Sequence, residues 1–223
     1  MASTFQRARS EEQRAVRRRT ILDTAAAMLA EMPLTELSLN ELSRRVGLAK
    51  SNVLRYFESR EAILLDLLAQ LARDLYVEVS EGIPAAIDPG ADIRQRVANI
   101  AEALATAFAR HGMLCELLGA QAGVLEHNVS AETIARYKRD VYESLGRFSA
   151  LVRQVVPELT TAQAEEATRA ILIAVGAYWT YAHPPQAVLD AYALDASLVF
   201  LPEQFQGSLS RVIDVLILGV LAA

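Results

Sequence analysis

The sequence predicts an all-α protein in two parts, a small three-helix unit at its N-terminal end and a larger helical unit after it. Two observations carry the fold class. Apolar residues recur at steps of three and four along most of the chain, the period of helices with one buried face. Breakers such as Pro33, Gly47, Pro157 and Pro184-Pro185 separate those stretches. The division into parts follows from charge. Residues 1–60 carry 11 Lys+Arg against 7 Asp+Glu, and the remainder carries 11 against 20, within a net charge of -5. Such asymmetry suits a chain that meets a polyanion at one end only.

At 223 residues, 52% of them hydrophobic and 22% charged, the chain is long enough to bury a core and polar enough to be soluble. Cys115 is its one cysteine, so no internal disulfide forms and a cysteine-built zinc module is excluded. The first 19 residues, MASTFQRARSEEQRAVRRR, are charged throughout and contain no signal-peptide core, which predicts a cytoplasmic protein. The apolar tail Val212 to Ala223 is shorter than the roughly 20 residues that span a bilayer and contains Asp214. It is assigned to a soluble core, with no membrane partner.

Taken in order, residues 1–10 read as a disordered arm bearing Arg7 and Arg9. From Glu11 a helix begins in which Ile21, Ala25, Met28, Leu29 and Met32 share one face, and Pro33 ends it. Arg14, Arg17 and Arg18 lie largely off that face. Ser38 with Glu41 forms the capping box S-x-x-E, so a second helix starts at Leu39 with Leu42 and Val46 inward. Gly47 permits a sharp turn, Leu48 plugs the junction, and a third helix follows over Lys50–Tyr56 with Val53 and Phe57 inward. Ser59 caps a fourth helix, apolar along Ile63, Leu64, Leu67, Leu68, Leu71 and Leu75, up to a break at Gly82–Pro84.

Residues 92–125 form one or two helices broken near His111-Gly112, and Glu132 to Val156 forms a long amphipathic one. Thr161 to Ala182 is apolar on nearly every face, so it is expected to be buried on more than one side. Residues 183–202 form a loop or short helix between prolines, and Glu203 to Leu221 forms the last helix.

Two helices joined by about three residues of turn at Gly47, the second presenting Lys50, Ser51, Asn52, Arg55 and Tyr56, make a helix-turn-helix. The flanks narrow this. Ile21 to Leu68, above all L-R-Y-F-E-S-R-E-A-I-L-L over Leu54–Leu65, resembles the N-terminal DNA-binding domain of the TetR (tetracycline repressor) family. The resemblance covers roughly residues 11–70. Where that family often has Gly, Ser or Thr, and an aromatic residue, this chain has Pro33, Ala49 and Leu54. Ala49 offers no side-chain cap, which weakens the third helix by about 1 kcal/mol. Leu54 has no hydroxyl to give a phosphate.

The resemblance implies a DNA-binding domain over residues 1–59, arm included, and a helical effector-binding and dimerisation domain over 60–223. Asn52 and Arg55 are residue types that read adenine and guanine edges bidentately, and Ser51 joins them as a base-edge candidate. Ser38, Lys50, Tyr56 and Arg60 are candidates for phosphate. Phe108, Met113, Leu117, Tyr137, Tyr142, Tyr178 and Trp179 are candidates to line a pocket for a small apolar or ring-bearing effector. By the same resemblance the last two long helices pair with those of a second subunit, through Ile171, Val175, Leu209, Val212, Ile213, Leu216 and Val220. The expected partners are therefore double-stranded DNA with a palindromic operator, a second copy of the chain and a small molecule.

His111 and Cys115 are one helical turn apart, but with His127 they form no ligand set at firm spacing; neither metal nor cofactor is expected. No H-E-x-x-H, G-x-S-x-G or Gly-rich phosphate loop occurs, so catalysis is not expected. The reading is a ligand-responsive repressor. An activator or ligand-independent regulator of the same fold, or a helical ligand-binding or enzymatic protein with a vestigial head, are the alternatives.

Overall fold

A computed structural model describes residues 2–201 and 204–223, with side chains from Glu11 onward. Among them are ten α-helices and no strand. They form two compact units. One holds the residues up to Gln70 together with Gln121–Tyr137; the other holds Leu71–Ala120 and the residues from Lys138 on. The sequence divides the chain at 59/60, whereas these units divide it after Gln70, inside a helix, and the first of them also takes in 121–137.

In the first unit, α1 (Ala2–Glu31) buries Ile21, Leu22, Ala25 and Met28. The expected arm over residues 1–10 is helical from Ala2. The side chains of Arg7 and Arg9 lie outside the described residues. A single 3₁₀ turn, Leu34–Glu36, leads to α2 (Leu39–Val46), which packs against α1 and α3. The third helix is shorter than expected: α3 is Lys50–Val53, and Leu54–Tyr56 continue it as a turn. Hydrogen bonds from Arg55 N to Asn52 O and from Tyr56 N to Val53 O tighten this end to three-residue spacing.

The fourth helix, α4 (Arg60–Ala86), begins in the first unit, where Ala62, Ile63, Leu64 and Leu65 are buried. It does not break at Gly82–Pro84. The helix runs only two residues past Pro84, so the one bond its missing N–H forgoes, to Ser80 O, falls where the helix is already ending.

In the second unit, α5 (Ile93–Arg110) is capped by Asp92 and ends at His111; α6 (Gly112–Ala120) follows at once, and the chain continues as a π-turn at Gln121–Leu125, which belongs to the first unit. The next helices are α7 (Ala131–Val155) and α8 (Thr161–Ala182), the latter opened by a reciprocal capping box between Thr160 and Gln163. A short α9 (Gln186–Leu194) and a 3₁₀ turn occupy the proline-flanked stretch, and α10 (Phe205–Ala222) closes the chain. Helix α10 packs against α5 and α8, and α6 against α8.

Two glycines let α6 and α8 cross with backbones in contact. A Cβ on Gly176 would stand 2.6 Å from Gly119 N, and one on Gly119 would stand 2.9 Å from Gly176 O. Nearby, a Cβ on Gly112 would meet the Trp179 ring at 2.7 Å. Trp179 itself stacks on His183 with centroids 3.8 Å apart and sets its edge on Phe205 at 5.0 Å. Buried Arg96 joins α5 to the end of α7, donating to Val155 O at 2.7 Å and pairing with Glu158.

Burial corrects the expected pairing surface. Ile171, Val175, Leu209 and Ile213 are buried within this one chain and are closed to a partner, while Val212, Leu216 and Val220 are half-buried. Helix α8 is not covered on every side: Ile173 is 69% exposed, and on α10 Val215 is 60% exposed. By length and composition α10 also qualifies as a candidate membrane span. Its apolar stripe has a use in the unit, because Phe205, Leu209, Ile213 and Ile217 are buried there.

Candidate nucleic-acid interface

The helix-turn-helix is built by local backbone chemistry. Ser38 takes extended angles and its Oγ accepts from Glu41 N at 3.2 Å, capping α2. The expected return bond of a capping box is absent from α2. The Glu41 carboxylate is held instead by Arg44, at 2.9 and 2.6 Å, and by Arg45 at 3.0 Å. Those two guanidinium groups lower its pKa to about 2. At the other end Gly47 adopts φ 72°, with Gly47 N bonded to Arg44 O and Leu48 N to Ser43 O. This is a Schellman turn, and it demands a residue that tolerates the left-handed region.

Ala49 opens α3 with no side-chain cap, as its side chain dictates. Val53 and Phe57 are buried, while Lys50, Ser51 and Asn52 on α3 and Arg55 in the turn after it are exposed. Leu54 is exposed beside them, and Tyr56 is half-buried. Ser38 is exposed; by accepting from Glu41 N its hydroxyl keeps its hydrogen for another acceptor. Arg60 is partly committed, donating to Leu37 O at 3.0 Å and to Glu61 at 3.1 Å.

Helix α1 adds cations that the α2–α3 spacing does not reveal. Arg14 donates to the carbonyl of Arg55 at 3.4 Å, and Arg14, Arg17, Arg55 and Tyr56 border an open cleft of about 890 Å³. Arg18 donates to Tyr56 O, pairs with Asp66 and lies 4.1 Å over the Phe57 ring. The signal for the α1 arginines was their spacing: Arg14 and Arg18 are one helical turn apart and so share a face.

The seven candidate pocket residues divide between the two units. Phe108 and Leu117 are buried in the second unit, and Met113, Tyr178 and Trp179 are half-buried there. Tyr137 belongs to the first unit, where burial pushes its phenol pKa up. Tyr142 is 66% exposed. Two of the three side chains considered for a metal have protein partners. His111 sets Nδ1 2.9 Å from Ala107 O and Nε2 3.1 Å from Glu78, and the buried Cys115 thiol donates to Phe108 O at 3.3 Å. Among the described residues no three His, Cys, Asp or Glu side chains cluster as a metal site.

A glycine-turned pair of helices exposing Lys, Ser, Asn and Arg from the second, ahead of a larger helical unit, defines the class of helix-turn-helix DNA-binding regulators. Residues 21–67 match the family of bacterial regulatory proteins of the tetR type, and residues 69–223 match the tetracyclin repressor-like C-terminal domain. The chain belongs to the TetR family of transcriptional regulators. Its fold resembles a TetR transcriptional regulator from Rhodococcus sp. RHA1 at 15% identity, covering 93% of this chain and 97% of that one, with a TM-score of 0.53. It also resembles the fatty acid degradation regulator FadR of Bacillus halodurans at 13% identity, covering 90% and 94%, again with a TM-score of 0.53. No curated protein sequence matches significantly.

Proposed function

We propose that this regulator is a cytoplasmic repressor that binds a palindromic operator as a homodimer and releases it when a small molecule binds the second unit. The observation that carries the DNA reading is the set Ser51 and Asn52, exposed on α3 beside Lys50, with Arg55 exposed in the turn that continues it. Asn52 and Arg55 suit adenine and guanine edges in the major groove, with Ser51 alongside. Lys50, Tyr56, Ser38 and the uncommitted donors of Arg60 suit phosphate, which positions the protein without specifying sequence. Two such helices in a dimer would enter successive major grooves about 34 Å apart. The apolar side chains left exposed at Ile173 on α8 and Val215 on α10, with Val212, Leu216 and Val220 half-buried, support the dimer, which would cover them. By linkage, an effector that weakens DNA binding is itself bound less tightly on DNA.

The test is selection of sites from fragmented genomic DNA by the purified protein. A shared palindrome is expected, and Arg55→Ala should lower affinity for it far more than for random DNA; equal losses on both would remove Arg55 from base readout. Val215→Asp should convert dimer to monomer in analytical ultracentrifugation, and a dimer that persists would move the interface elsewhere.

A further inference from the structure

The first unit contains a segment that the helix-turn-helix does not require, residues 121–137, and this segment is tied to the end of the recognition element by two carboxylates. Glu58 follows Phe57 directly. Its Oε1 accepts from the backbone N of Ser130 at 2.7 Å and from the Ser130 hydroxyl at 3.0 Å. Ser130 is in turn the residue that starts α7, its Oγ receiving Thr133 N at 3.2 Å and its carbonyl receiving Ile134 N at 3.0 Å. Two turns along, Arg136 stands 3.7 Å from Asp66 Oδ1, while the other oxygen of Asp66 holds Arg18. Arg18 donates to Tyr56 O and covers Phe57. Both lines from α7 therefore end on Tyr56–Glu58, the last residues of the element whose exposed side chains include Arg55.

We propose that the first two turns of α7 set the position of the recognition element through Glu58 and Asp66, making Ser130, Glu58 and Arg136 positioning residues for DNA binding. The inference rests on the reading that α3 meets DNA. The physical reason is the shape of α3 itself. It has four helical residues, no side-chain cap and a tightened end, so little within it holds Leu54–Tyr56 in place. A charge-assisted pair of hydrogen bonds on Glu58, two residues on, and the Arg18 guanidinium, which donates to Tyr56 O and lies over the Phe57 ring, supply the missing constraint.

The test uses the full chain and the DNA site that the wild type selects. Ser130→Asp keeps a good cap for α7 but sets a second carboxylate against Glu58. It should weaken site binding about tenfold, and adding Glu58→Gln should restore most of the loss. Glu58→Gln alone and Arg136→Ala should each cost about threefold, within the range of exposed ionic hydrogen bonds. In all four the slope of log affinity against log salt should match the wild type, because no phosphate contact is removed. Amide exchange in the DNA-free protein should quicken at Leu54–Phe57 in Ser130→Asp and recover in the double variant. Wild-type affinity in Ser130→Asp, a loss that Glu58→Gln does not rescue, or a salt slope reduced by about one for Arg136→Ala would each overturn the proposal. If the wild type selects no DNA, the DNA reading fails, and the exchange comparison still decides whether α7 holds this segment.

Discussion

Replacing Gly176 by alanine puts one methyl group where α8 crosses α6, and the structure sets the size of the effect. The new Cβ would stand 2.6 Å from Gly119 N, 2.7 Å from Leu118 C and 2.9 Å from Gly119 Cα. Ordinary carbon contacts lie at about 3.5–4.0 Å, so the two backbones would have to part by roughly 1 Å. All three obstructing atoms are main chain, and no rotamer change relieves them. Overpacking of this kind costs about 3 kcal/mol at the upper end, and the helix propensity of alanine over glycine returns about 1, leaving a net loss of about 2 kcal/mol. Gly146 on α7 is the control: it is exposed, and a Cβ there meets nothing within 4 Å. Gly146→Ala should therefore gain about 0.5–1 kcal/mol. Urea midpoints measured at one protein concentration, so that association contributes equally, should move in opposite directions for the two variants. A Gly176→Ala protein as stable as the wild type would refute the backbone-contact account of the α6–α8 crossing.

Three further outcomes are expected. Burial pushes the Cys115 thiol up to about 12, so the native protein at pH 8 should resist iodoacetamide and yield its one thiol only on unfolding; prompt labelling would show that the site opens. Glu41 is held at about 2 by Arg44 and Arg45, below its ordinary 4.5. Its contribution to stability is thus complete above pH 4.5 and is lost as pH falls towards 2. An NMR titration of the Glu41 carboxyl with a midpoint near 4.5 would break that clamp. Finally, Ala49→Ser gives α3 the cap it lacks and should raise the thermal midpoint by the equivalent of up to about 1 kcal/mol, while Ser38→Ala should lower it by about as much through α2.

Much of the helix-turn-helix was legible because helix caps and tight turns are short-range chemistry. Ser38, Gly47 and Ala49 each act within five residues of themselves, and each takes the role that its side chain dictates. The length of α3 was not legible, since apolar spacing continues through Phe57 whether the backbone closes on the third or the fourth residue. The capping box failed for a related reason. The pattern S-x-x-E names the partners for Glu41, but Arg44 and Arg45, one turn on, bind it instead. Periodicity also shows that α8 and α10 have apolar stripes without saying which stripe faces the same chain. Ile171, Val175, Leu209 and Ile213 therefore read as partner contacts until burial placed them in the core.

By itself the sequence determined the all-helical class, the helix-turn-helix and the side chains that α3 presents, because period, caps and turn residues are local properties of the chain. Tertiary structure alone decided that Arg14 and Arg18 reach the end of α3, that Glu58 is joined to Ser130 across 72 positions, and which apolar faces remain uncovered. Those depend on which distant segments meet, and nothing in the local pattern of either segment specifies its partner.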